Sequence, residues 1–262
     1  MKRNVRLVKN AALMASLVLS AGTARADEER PSACKGLPSH AELRHALVLA
    51  QAQPNGGFNL EMWATAVNRD GIVCAVAFTG NNRGDQWPGS RVISAQKANT
   101  ANAFSLPGLA LSTANLYSAV QPGGSLFGLQ ESNPVSAVVA YGGDAANYGQ
   151  ADDPMVGGKI GGVNVFGGGL ALYNAGGRLL GGVGVSGDSS CADHNIAWRT
   201  RNNLDLDHVP AGVSGDPSRP DNIVYDITPQ AGQMPGVSAG GWGHPACSAA
   251  ATTIAATLPP SK

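Results

Sequence analysis

The sequence predicts an α+β domain, an antiparallel sheet with helices packed against it. Three observations carry this. Turn residues mark two hairpins, one around Arg69-Asp70-Gly71 and one around Asn174-Ala175-Gly176-Gly177. Three longer stretches outside the hairpins read as helices. No stretch alternates strand and helix in the βαβ manner, which argues against a doubly wound nucleotide fold. A chain of 262 residues holds one such domain with additions.

The elements follow in order. Residues 27–38 are polar and read as an arm. The first helix spans 39–53: Ser39 caps it, Glu42 completes a capping box, and Leu43, Ala46, Leu47 and Ala50 form one apolar face. Pro54-Asn55-Gly56-Gly57 ends it. Strands are expected at 62–67 and 72–78, followed by a polar loop to Gly89. An alanine-rich second helix spans 90–104, with Ser90 as its cap. Residues 105–158 have a different texture, rich in Gly, Asn, Ala, Ser and Pro, and read as an ordered insertion with a short helix at 112–120 and a short strand at 136–141. A second hairpin covers 170–173 and 179–185. The third helix spans 189–203, capped by Asp188 or Ser189. A loop-rich extension fills 207–262, with a brief strand at 223–227 and a weak helix or frayed tail at 249–257.

The first 26 residues change the charge balance. Lys2, Arg3, Arg6 and Lys9 precede an apolar run from Ala11 to Gly22, and Ala24-Arg25-Ala26 supplies a small-x-small cleavage pattern. This is the pattern of a secretory signal peptide over 1–26. The run is too short for a membrane span, which needs roughly 20 apolar residues. Removing the segment takes five of the 18 basic residues and none of the 18 acidic ones, so the mature chain carries a net charge of −5. A periplasmic or secreted protein is expected, with no membrane span. Fourteen aromatics and no basic stripe give no nucleic-acid platform.

Cys34, Cys74, Cys191 and Cys247 all follow the signal segment. An even count in an oxidising compartment predicts two disulfides, and the absence of a C-x-x-C argues against a zinc cluster or redox pair. Of three connectivities, Cys34–Cys74 with Cys191–Cys247 is favoured, because each bond ties a terminal extension to the core.

Three segments together resemble the GlcG/HbpS family of haem-binding proteins, also described as a haem-degrading domain. They are the hairpin around Asn68-Arg69-Asp70-Gly71, the stretch Ser94-Ala95-Gln96-Lys97-Ala98-Asn99-Thr100-Ala101, and Gly167-Gly168-Gly169 followed by Gly181–Gly187, Asp193 and Ala197. The resemblance covers about 40–104 and 160–203. It implies a profilin-like antiparallel sheet flanked by helices over 39–206, haem as ligand and assembly into homo-oligomers. The segment 105–158, the extension 207–262 and the cysteines depart from the family pattern.

The candidate haem contacts are Thr100, Lys97, His45 and His40. Lys97 and Thr100 share one helical neighbourhood, where Lys97 would pair with a propionate and Thr100 would stand near the iron or bond a carboxylate; the resemblance implies Thr100 as a contact. The alternative is that Thr100 and the alanines pack the helix on the sheet while Lys97 snorkels to solvent. Iron most often takes His, Met, Cys or Tyr. Among His40, His45, His194, His208 and His244, no metal-pair spacing occurs, and His45 or His40 is the first choice. Gly181–Gly187 lacks the Gly-Lys-Ser/Thr of a phosphate loop and reads as a place where a strand bends and the third helix packs closely. Ser186 does not complete a nucleophile elbow, since Asp188 stands where the last glycine belongs. Asp152-Asp153, Asp205 and Asp207 offer carboxylates for a calcium ion, with a solvated loop as the alternative.

The leading functional expectation is an exported haem-binding protein for haem handling or sensing. Haem degradation or another small-molecule reaction is the enzymatic alternative, and no nucleophile–base–orienter set supports it. A non-catalytic accessory subunit of a periplasmic redox system is the third reading.

Overall fold

The computed structural model describes residues 32–262; the signal peptide expected over 1–26 lies outside them. Helix α1 (His40–Gln51) begins with the expected capping box, Ser39 Oγ accepting from the Glu42 amide while Glu42 reaches back to the Ser39 amide. Strands β1 (Trp63–Asn68) and β2 (Val73–Phe78) form the first hairpin. Its turn is held by Asn68 Oδ1, which accepts from the Asp70 and Ile72 amides, both at 2.9 Å, and Gly71 takes φ +74°. Strands β3 (Gly169–Tyr173) and β4 (Leu179–Ser186) form the second, where Asn174 Oδ1 accepts from Gly176 and Arg178.

The four strands make one antiparallel sheet in the order β2-β1-β4-β3. Every residue of these strands is buried, so helices must cover both faces. Side chains alternate accordingly. Ala64, Ala66, Val183 and Val185 join the core under α1 and α4 (Ser190–Asn203). Trp63, Val67, Val76 and Phe78 join a second core under α2 (Ser90–Ala103).

Glycines set how closely α2 sits. A Cβ on Gly184 would lie 2.0 Å from the Ser94 carbonyl oxygen, and one on Gly182 would lie 2.4 Å from that of Ala98. The glycine run on β4 is therefore a seat for the second helix. The close packing expected here for the third helix belongs to α2, on the opposite face.

Four local expectations are corrected, and a fifth, the weak helix or frayed tail at 249–257, is resolved as a helix. Ser90 is the first residue of α2 and not its cap; Gly89 holds that position and supplies no side-chain hydrogen bond. Residues 136–141 are helical, α3 (Ala137–Tyr141), because Ser136 caps the Val139 amide and the segment lies over α2 with no strand to pair. Its two valines suggested a strand without any partner strand nearby. The strand expected at 223–227 is displaced: β5 (Ile227–Gln230) pairs with β6 (Gln233–Ser238), and Val224 makes only an isolated bridge to Gly243. The weak C-terminal helix is a docked one, α5 (Ala249–Ala256), capped by Ser248 and burying Ala251 and Ala255. Residues 112–120, expected as a short helix, form two 3-10 turns, Thr113–Leu116 and Ser118–Val120.

Both favoured disulfides are present, Cys34–Cys74 and Cys191–Cys247. The first ties the N-terminal arm to β2, and the second ties the start of α4 to the residue before the α5 cap. Two buried ion pairs fasten the remaining segments. Arg91 of α2 grips Asp153 with two hydrogen bonds, donates to the Ala140 carbonyl and lies 3.6 Å from the Tyr148 ring. Arg201 of α4 holds Asp221 at 2.6 and 2.8 Å, with neither side chain exposed. The segments 105–158 and 207–262 are thus packed parts of the structure. No helix among the described residues is long and apolar enough to cross a membrane.

Candidate functional site

The four candidate residues fall in three places. Lys97 and Thr100 project from α2 into the protein. The Lys97 ammonium bonds Asp193 at 2.7 Å and the Val185 carbonyl at 3.2 Å, and it is 2% exposed. Thr100 is fully buried: its hydroxyl donates to the Gln96 carbonyl and accepts from the Asn164 amide. The outer face of α2 is covered by Val135, Val139, Ala140, Met155 and Ile160. Both functional groups are committed, and the space a flat ligand would need beside them is filled by protein.

His40 starts α1 on the other face of the sheet. Its Nε2 lies 2.9 Å from the Gly149 carbonyl, so it ties α1 to the segment expected as an insertion. His45 is one and a half turns further on and points elsewhere, as the spacing of five predicts. It is exposed and stands at an open groove of about 290 Å³. Leu37 and Pro38 of the arm, Ala46 of α1, and Leu204 and Leu206 beyond α4 form the apolar walls. The Cys34–Cys74 bond anchors the arm that makes one wall. Of the four candidates, His45 alone is exposed and lines this groove, which Glu42 and Asn203 also line.

The remaining histidines inside the fold are structural. His194 is fully buried beside Asn222 and the Ile223 amide, and burial pushes its pKa down to about 3. His244 packs against Tyr117 and is pushed down to about 4, again by burial. Both are neutral in the folded protein. Asp193 moves the other way: burial raises its carboxyl to about 6, partly offset by Lys97.

These shifts fix the sign of a pH effect. A histidine with a depressed folded pKa contributes stability that is whole above pH 6.5 and is lost as pH falls towards the folded value. Each contributes about 1.4 kcal/mol per pH unit in that window. Asp193 protonates more readily in the folded chain, so between about pH 6 and 3.8 it offsets roughly one of the two. Net destabilisation is expected between pH 6.5 and 4, and His194→Gln should flatten the slope. Urea unfolding at stepped pH measures it; a stability that holds level from pH 7 to 4 contradicts it.

Sequence reasoning did not find the residues that fix this arrangement. Asp193 and Asn164 engage α2 from positions 96 and 64 residues away. Only the Asp193 position carried a signal, as part of the glycine-rich third segment.

A family described as haem-degrading protein HbpS-like matches residues 45–201. The chain belongs to the HbpS-like family. The family match runs from His45 at the groove to Arg201 at the buried ion pair with Asp221. Among solved structures, the complex of PduOC with haem is 24% identical, covering 62% of this chain and 89% of that one, with a TM-score of 0.43. Protein ORFY of Klebsiella pneumoniae is 24% identical over 63% of this chain and 87% of its own, with a TM-score of 0.43. A double mutant of Streptomyces reticuli HbpS is 16% identical over 74% and 97%, with a TM-score of 0.40. No curated protein matches the chain.

Proposed function

We propose that this HbpS-like protein is an exported haem-binding protein serving haem handling or sensing, and that His45 presents the iron ligand. The observation that carries this reading is the accessible imidazole of His45 at an apolar-walled groove. Imidazole is the commonest protein donor to haem iron, and apolar walls suit a porphyrin edge. A bound haem would supply a redox-active iron. The chain's own part is to present the ligand, shield one edge of the ring and leave the other side open. The two disulfides, together with the signal pattern at 1–26, support export. Homo-oligomers are expected from the family resemblance, and light scattering of the purified protein measures their size.

Titration of the purified protein with haemin tests the reading. A saturable Soret shift is expected, weakened at least about tenfold by His45→Ala. A non-saturable, nonspecific change that is the same in both proteins counts against it. One observation favours the accessory-subunit reading instead: the outer face of α2 is closed over Thr100 by protein. On that reading no haemin binds at all.

A further inference from the structure

We propose that Asp205, Asp207 and His208 form a divalent-cation site whose place is held by the ammonium of Lys262. The three residues follow α4 in the sequence Asp205-Leu206-Asp207-His208, and they are the one His/Cys/Asp/Glu cluster of metal-binding geometry among the described residues. One donor atom from each lies within 4.8 Å of the others. Asp207 is 1% exposed, and its Oδ1 has no hydrogen-bond partner. The buried Nε2 of His208 has none either, and lies 3.7 Å from Asp205 Oδ1. A buried carboxylate oxygen without a hydrogen-bond partner is costly, so Asp207 Oδ1 marks a place shaped for a cation.

The backbone builds the site before any ion arrives. Asp207 forms a parallel bridge to Tyr173 at the sheet edge, and the His208 amide donates to the Tyr173 carbonyl. Asn202 of α4 bonds Asp207 Oδ2 at 2.7 Å, which leaves Oδ1 facing the cluster. Asp205 takes φ +56°, in the left-handed region, and this turns its carboxylate back towards His208. Lys262 Nζ pairs with Asp205 Oδ1 and stands 3.8 Å from Asp207 Oδ1. An ammonium thus occupies the position between the two carboxylates that a metal ion would take.

Two carboxylates and one imidazole suit a borderline dication of the zinc type; calcium and magnesium prefer oxygen donors throughout. Three protein ligands leave a coordination position for water or a further group. Metal uptake must displace Lys262, so the lysine sets the affinity.

Zinc chloride titrated into the purified protein, in competition with a chromophoric chelator, tests this. One equivalent is expected to bind, with affinity falling at least about tenfold in Asp207→Asn and in His208→Ala, and rising several-fold in Lys262→Ala. His208 is partly exposed, so its variant decides the matter even where Asp207→Asn fails to fold. Zinc uptake that His208→Ala leaves unchanged overturns the proposal. So does a Lys262→Ala protein that takes up zinc no more tightly than the parent, or takes up none.

Discussion

Replacing Asp221 by alanine is expected to cost about 3–5 kcal/mol of stability. The change strands the Arg201 guanidinium, which has no exposure to solvent and, among the described residues, keeps the Ala171 carbonyl and the Trp198 ring as partners. A buried charge without its counterion is far costlier than a buried pair replaced by apolar groups. The double variant Arg201→Met with Asp221→Leu should therefore recover much of the loss. Urea unfolding under non-reducing conditions measures both. A typical domain has about 5–15 kcal/mol in total, so the single change removes a large share. Asp221 comes from the 207–262 segment, and the loss would show that segment to be integral to the domain. A cost below about 1 kcal/mol, the range of an exposed pair, would contradict the account.

Gly184→Ala is expected to destabilise at the upper end of about 1–3 kcal/mol. The new methyl would lie 2.0 Å from the Ser94 oxygen and 2.5 Å from the Ala98 nitrogen, and both are backbone atoms of α2. No rotamer relieves such a clash; the helix itself must lift from the sheet. Lifting α2 would loosen Lys97, Thr100 and Arg91 together, since all three are carried on it. Gly108→Ala, at a position with open space around it, is the control and should be near neutral. Equal melting temperatures for the two variants would refute the glycine-seat account.

Much of the scaffold was legible because its signals are local. Asp70-Gly71 and Asn174–Gly177 announce turns through their own backbone chemistry. Ser39 and Glu42 cap α1 within three residues of each other. The disulfides followed from the even cysteine count and from pairings that tie each terminal extension to the core. The errors lie where a distant partner decides. Val138 and Val139 read as a strand by composition, yet Ser136 and the surface of α2 make that stretch a helix. The segment 223–227 has the residues of a strand, but its hydrogen-bonding partner lies beside 227–230 instead.

The site was harder to see for the same reason. Lys97 and Thr100 stand in a family-like motif on α2, and nothing nearby in sequence reveals that Asp193 and Asn164 engage them. Their chemistry serves packing: a buried ion pair and a doubly bonded hydroxyl. In the sequence His45 is a first choice only jointly with His40, with no metal-pair spacing to single it out. Its position at the groove depends on the arm held by Cys34–Cys74 and on Leu204 and Leu206 beyond α4, segments joined only in three dimensions.

The central claim is that a haem ligand belongs to the α1 groove and that the α2 face is structural. Haemin titrations of His45→Ala and Thr100→Val, run side by side and read at the Soret band, test it most directly. The account predicts that His45→Ala loses the saturable shift while Thr100→Val, although less stable, keeps the parent affinity. A His45→Ala protein that binds haemin like the parent, with the affinity lost in Thr100→Val, would contradict it.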